Sequence, residues 1–243
     1  MTITTQTVRE IALDQPASIR VFEQFGIDYC CGGRKPLAEA CTANNLEVDA
    51  VLAALEAAAQ TPAIETEDWT KASLEVLSAH IVAKHHAYVK SELPRLAVLA
   101  QKVVRRHGDT QAELPQIQAK LALLDEELSQ HLAKEEAVLF PYVTKLERAL
   151  ATGSTLPRGC FGTVANPIAT MTTEHDAAGT LLAAIRRLSH QFTTPVGACP
   201  TYHAFYDALR EFEQDLHRHI HLENNILFPR AIAMEAGAAT VSV

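Results

Sequence analysis

The chain is expected to be all-α, a four-helix bundle preceded by a small helical N-terminal domain. Three observations predict this. Beyond residue 69 the apolar residues recur in alternating steps of three and four along four long segments, the spacing of a helix that buries one stripe. Ala and Leu are abundant while aromatic residues make up only 6%, a balance that favours helices over sheets. No stretch alternates apolar and polar residues as a half-buried strand does. Hydrophobic residues reach 48% of the 243, enough for a sizeable core. The expected domains are residues 1–60 and 69–243.

In the first domain a helix is expected from near Pro16 to Gly26, because glycine suits a helix C-terminus. A turn follows, Asp28-Tyr29-Cys30-Cys31-Gly32-Gly33, in which Gly32 and Gly33 free the backbone. Pro36 then opens a helix at its first position, and a last helix covers Val48 to Ala59. The positive end of the helix near Pro36 is expected to depress a nearby thiol pKa. The stretch from Thr61 to Asp68, with Pro62 and three acidic residues, has linker character.

The bundle helices are expected over residues 70–106, 113–149, 167–192 and 201–235, separated by Gly108-Asp109, by Gly153 to Pro167 and by Pro195 to Pro200. The first seam runs Val82, His86, Val89, Leu93, Leu96, Ala100, Val103. The second runs Leu121, Leu124, Leu128, His131, Glu135, Val138, Tyr142. The third is Ile168, Met171, His175, Ala178, Leu182, Ile185, and the fourth Phe205, Leu209, Phe212, Leu216, His219, Glu223, Ile226. Every seam carries histidine or glutamate where an apolar residue would otherwise stand.

The second half also repeats itself. His131 to Pro141 and His219 to Pro229 share one pattern: His, then Glu four residues on, then Leu-Phe-Pro (Leu139-Phe140-Pro141 and Leu227-Phe228-Pro229). One helix upstream of each copy a further histidine stands on the seam, His86 and His175. The bundle therefore reads as a duplicated helical hairpin, each copy supplying one His and one His-x-x-x-Glu.

Two carboxylates and four imidazoles on converging seams are costly to bury without compensating charge. A pair of cations supplies it. His and Glu at i and i+4 stack on one helix face and can reach one centre. The mixed nitrogen and oxygen donors suit iron or manganese better than a structural tetrahedral zinc. A lone seam histidine is more often a hydrogen-bonded core residue, and a single His-x-x-x-Glu can be a surface pair. Two copies at identical spacing weigh against both.

His85 is the rival of His86 but follows a weaker series. His217 and His221 project to other faces and are expected to be exposed. Pro141 and Pro229 each remove a backbone donor and are expected to kink or end their helices just past the site. Five cysteines in no regular framework do not suggest structural disulfides. Cys41, Cys160 and Cys199 lie without evident partners and receive no role.

Composition excludes some classes. A net charge of −8 without a basic cluster speaks against nucleic-acid binding. No apolar run is long enough to span a bilayer, and the polar N-terminus lacks the apolar core of a signal peptide, so no membrane association and a cytoplasmic location are expected. A homodimer is compatible with the sequence.

These residues resemble the iron–sulfur cluster repair di-iron proteins, the repair of iron centres family, over nearly the whole chain. The turn from Asp28 to Gly33 is similar to the signature of that family's N-terminal domain. Glu174-His175-Asp176-Ala177-Ala178-Gly179 and the stretch from His219 to Pro229 resemble its hemerythrin-like domain. The resemblance implies a hemerythrin-like up-down bundle. His86, His131, His175 and His219 would be terminal ligands to two non-haem irons, with Glu135 and Glu223 bridging them beside an oxo or hydroxo group. It implies repair of clusters damaged by nitric oxide or oxidants, with damaged iron–sulfur proteins as partners and iron supply as the means. The alternatives are a carrier or sensor of nitric oxide or dioxygen, and an oxidoreductase of the nitric oxide reductase type. Cys30 and Cys31 would then form a thiolate site that accepts iron, meets a damaged cluster or shuttles electrons. The plain reading is two small residues packing in a loop.

Overall fold

Thr7 starts the first helix through a capping box. Its side chain accepts from the Glu10 amide, and the Glu10 carboxylate accepts from the Thr7 amide at 2.8 Å. The structure, a computed structural model, describes residues 3–60 and 68–241. In the N-terminal part α1 (Val8–Asp14), α2 (Ser18–Phe25), α3 (Leu37–Ala43) and α4 (Val48–Ala59) follow a short 3-10 turn at Ile3–Thr5. Helix α1 was not expected, although the Thr7-x-x-Glu10 pattern announces it. Gly26 closes α2 in the left-handed conformation, φ +67°. Pro36 stands at the N-cap of α3 rather than inside its first turn. Val8, Ile11, Phe22, Leu37, Val51 and Leu55 are fully buried and form the core here. The linker reading of residues 61–67 lies outside the described residues.

The bundle is built from α5 (Leu74–Ile81), π1 (Val82–His86) and α6 (Ala87–His107); α7 (Glu113–Lys134), π2 (Glu135–Leu139) and α8 (Phe140–Thr152); α9 (Ala165–Leu188); and α10 (Pro200–His221), π3 (Leu222–Leu227) and α11 (Phe228–Val241). The helices run up and down, α7 packing on both α6 and α9, and α5 on α8. Among the described residues no strand forms, only isolated bridges between Thr7 and Pro36 and between Gly159 and Gly162. Among the described residues no helix is long and apolar enough to cross a membrane. The chain divides into two compact units: Met1–Ser73 with Ile220–Pro229, and Leu74–His219 with Arg230–Val243.

Three of the four bundle helices contain a single π turn, and each of those turns holds seam residues of the His/Glu set. Single π turns are favoured at functional sites because they admit one extra residue without ending the helix. Pro141 and Pro229 therefore do not end their helices, one of the two outcomes expected of them, and the helices run on past them as the expected ranges 113–149 and 201–235 require. Each follows two residues behind a π turn, and α8 and α11 continue through it. A proline lacks the N–H that would bond four residues back, and its ring crowds that carbonyl. A widened turn just ahead relieves the crowding. The same extra residue corrects the second seam. Val138, expected inside, is 44% exposed, and Leu139 takes its place at 2%. The expected members of the third and fourth seams are all buried.

Candidate metal centre

His86, Glu135, His219 and Glu223 each offer a ligand atom within 4.8 Å of the others, and so do His131, Glu135, His175 and Glu223. All six side chains are buried, at most 2% exposed. The two groups share both glutamates. His86 Nε2 lies 3.2 Å from His219 Nε2, and His131 Nε2 lies 3.1 Å from His175 Nε2. The Nε2 atoms of His86 and His131 approach one oxygen of Glu135, Oε2, at 3.4 and 3.3 Å. Phe140, one residue beyond π2, stacks on the His86 ring with centroids 5.6 Å apart and shields it from water.

Two further carboxylates set the orientation of the rings. His86 Nδ1 donates to Glu136 Oε1 at 2.8 Å, and Lys90 donates to both oxygens of Glu136. His131 Nδ1 donates to Glu174 Oε2 at 2.8 Å, and Lys134 donates to the other oxygen. Burial works to raise both carboxyls. The hydrogen bonds from Lys90 and His86, and from Lys134 and His131, outweigh it and hold Glu136 and Glu174 below the usual carboxylate value. With Nδ1 protonated, each imidazole turns a bare Nε2 lone pair towards the shared carboxylates, the usual arrangement behind a metal-bound histidine. Glu136 and Glu174 are not among the site residues expected from the seams. Their only sequence signal is adjacency to Glu135 and His175.

The donor set fits bound metal cations. Neither oxygen of the buried Glu135 carboxylate accepts a hydrogen bond. A buried carboxylate in that state requires positive charge nearby. Two imidazole nitrogens bound at roughly right angles to one ion, each about 2.1 Å from it, stand about 3 Å apart. The 3.1 and 3.2 Å separations match that spacing. An imidazole–imidazole hydrogen bond would explain either contact alone, but it would leave Glu135 without a donor.

Comparison with known proteins agrees with this chemistry. A sequence model described as Hemerythrin HHE cation binding domain matches residues 77–231, and one described as a domain of unknown function, DUF542, matches residues 4–59. The iron–sulfur cluster repair protein YtfE of Yersinia pseudotuberculosis serotype O:1b (strain IP 31758) is 38% identical over 230 residues, which is 95% of this chain and 98% of that protein. The proteins of the same name from Yersinia pestis strain Pestoides F and from Yersinia pestis bv. Antiqua strain Angola match to the same extent. The chain belongs to the YtfE family of iron–sulfur cluster repair proteins. In this YtfE-family chain all six clustered side chains fall inside the hemerythrin match, and Cys30 and Cys31 inside the DUF542 match.

The remaining histidines of the YtfE-type bundle sort by partner. His85 is buried, but its Nδ1 meets Asp215 at 3.0 Å and it belongs to neither ligand group. His221, expected to be exposed, is 4% exposed. Its Nδ1 meets the Asn225 amide at 2.8 Å and its ring lies edge-on to Tyr29, centroids 5.4 Å apart. Asn225 in turn donates to the Tyr29 carbonyl and accepts from Arg9. The segment 220–229 is thus part of the first compact unit, and that placement buries His221. His217 is half-buried. Cys199, expected to lack a partner, has its Sγ 3.2 Å from His107 Nε2.

In the cysteine turn Asp28 organises the backbone. Its Oδ1 accepts from the Cys30 and Cys31 amides at 2.9 Å each, and its Oδ2 from Gly32 at 2.8 Å. Cys30 Sγ lies 3.3 Å from Asp28 Oδ1 and 3.8 Å from Cys31 Sγ, so the three side chains form a small cluster of their own. Gly33 is required by close approach, since a Cβ there would meet the Tyr29 carbonyl at 2.6 Å. The thiol of Cys30 departs from the expected direction. The hydrogen bond with Cys31, burial and the Asp28 charge push it well above the ordinary thiol value. These local effects override the nearby seven-residue helix α3.

Proposed function

We propose that this protein repairs iron–sulfur clusters damaged by nitric oxide or oxidants, acting in the cytoplasm and supplying iron to damaged iron–sulfur proteins. In this reading residues 69–243 hold two non-haem iron ions. His86 and His219 serve one, His131 and His175 the other. Glu135 and Glu223 would offer carboxylate oxygens to both. The observation that carries the reading is that both ligand groups contain the same two glutamates. Support for the activity is the name borne by relatives that match almost the whole chain. Bound iron would supply both redox capacity and the ion to be delivered.

The side chains have separable tasks. Glu136 and Glu174 keep His86 and His131 in the tautomer whose Nε2 can bind. Glu135 and Glu223 supply the negative charge that makes the pocket selective for cations. Phe140 limits water access beside His86. The thiols of Cys30 and Cys31, in residues 1–60, form the second site, where iron is accepted or a damaged cluster is met.

The first test is elemental analysis of chelator-free protein. About two irons per chain, lost on replacing His131 or Glu223 with Ala, is the expected result. One zinc per chain, unaffected by those changes, overturns the centre. Replacing Cys30 and Cys31 together with Ser should abolish cluster repair and leave iron content intact; full repair by that variant removes the thiols from the function. Consumption of nitric oxide by the reduced protein without any cluster repair would assign the site to gas chemistry instead.

A further inference from the structure

A second pair of reactive groups lies at the far end of the bundle. His107 ends α6 and Cys199 precedes the first residue of α10. Each stands about 30 Å along its helix from the ligand it shares that helix with, His86 or His219. Cys199 Sγ is 3.2 Å from His107 Nε2. The Cys199 carbonyl accepts from the amides of Tyr202 and His203, at 2.9 and 3.2 Å, so the thiol stands at the opening turn of a 22-residue helix. Negative charge is favoured there. The Tyr202 ring packs beside His107, centroids 5.4 Å apart, and holds the imidazole against the sulfur. Both Cys199 and His107 are half-buried, within reach of a small molecule.

We propose that Cys199, with His107 as its acid–base partner, is a thiol–disulfide exchange site for low-molecular-weight disulfides. A thiolate, not a thiol, is the attacking species, and His107 Nε2, 3.2 Å from the Cys199 sulfur, is placed to take its proton as it attacks. The exchange balances on the groups named. His107 Nε2 takes the Cys199 proton. The Cys199 sulfur attacks one sulfur of the small disulfide, a new S–S bond forms and the original one breaks. The departing thiolate takes the proton back from His107. Cys199 is oxidised to a mixed disulfide, and the other half of the reagent is released as a reduced thiol. A second small thiol reverses the step. The site is independent of the metal ligands and of the Cys30–Cys31 turn.

Cys160 is the internal reference, since it is more exposed than Cys199. The experiment treats the full, reduced protein with glutathione disulfide at pH 7 and follows each cysteine by peptide mass mapping. Conjugation at Cys199 should run about tenfold faster than at Cys160 despite the poorer access. In His107→Gln the Cys199 rate should fall to near that of Cys160, whose own rate is unchanged. In denaturant the two wild-type rates should become equal, a readout that needs no folded variant. The proposal is overturned by a Cys199 rate no greater than that of Cys160, by a Cys199 rate indifferent to His107→Gln, or by a ratio that survives denaturation.

Discussion

Glu135 and Glu136 are neighbours in the chain with opposite tasks. Glu135 is fully buried and its carboxylate accepts no hydrogen bond, whereas Glu136 is half-buried and held between Lys90 and His86. The difference is one step of helix rotation. The first faces the seam, and the second faces the helix alongside. Glu174 does for His131 what Glu136 does for His86. Replacing Glu136 or Glu174 with Gln removes the charge that orients the ring but keeps the volume. Iron affinity, measured by competition with a chelator, is expected to fall about 10–100-fold while the helical signal is unchanged. Unaltered affinity in both variants would show that these carboxylates do not orient the ligands. The six ligand candidates were readable because each lies on an apolar stripe. Glu136 and Glu174 were not, because their value depends on which residue of another helix they meet.

At the scale of elements the π turns decide the register. In an uninterrupted helix the step from Glu135 would bury Val138, and the sequence was read that way. With π2 in place Leu139 is inside and Val138 outside. Leu139→Ala is therefore expected to cost about 2–5 kcal/mol in urea unfolding. Val138→Lys should change stability by no more than about 0.5 kcal/mol. The reverse order would restore the regular helix. The ends of α2 and α4 were legible from Gly26 and from the run Val48 to Ala59. Helix α1 was missed although its capping box is present, because its seven residues carry too little periodicity to stand out.

Across the whole molecule several tyrosines report on burial. Burial, followed by the hydrogen bond and charge of Glu235, pushes Tyr142 up to about 12. Burial, with the nearby charges of Glu92 and Asp215, takes Tyr88 to about 12 as well. Tyr206 is raised further by burial and by Tyr202. A group with a raised folded pKa stabilises the fold fully below its unfolded value, here near 10. That contribution is lost as pH rises through the folded value. Unfolding free energy should therefore fall between pH 10 and about 12, with tyrosinate absorbance lagging in the folded protein and not in the denatured one. Ionisation of all five tyrosines at the ordinary midpoint would contradict this.

The sequence by itself determined the helical class, the four stripes and the residues on them, and the duplicated His-x-x-x-Glu. Helical periodicity is a local property and fixes which side chains share a face. Tertiary structure alone decided what those faces meet. It buries His221 in one unit with Asn225, one turn further on, and with Tyr29, distant in the chain. It brings Cys199 to His107 across 92 residues. It also reverses the expected shift of the Cys30 thiol, because burial and the neighbouring Cys31 and Asp28 outweigh a short helix end. Contacts between elements and the exclusion of water are set by packing, which no single segment encodes.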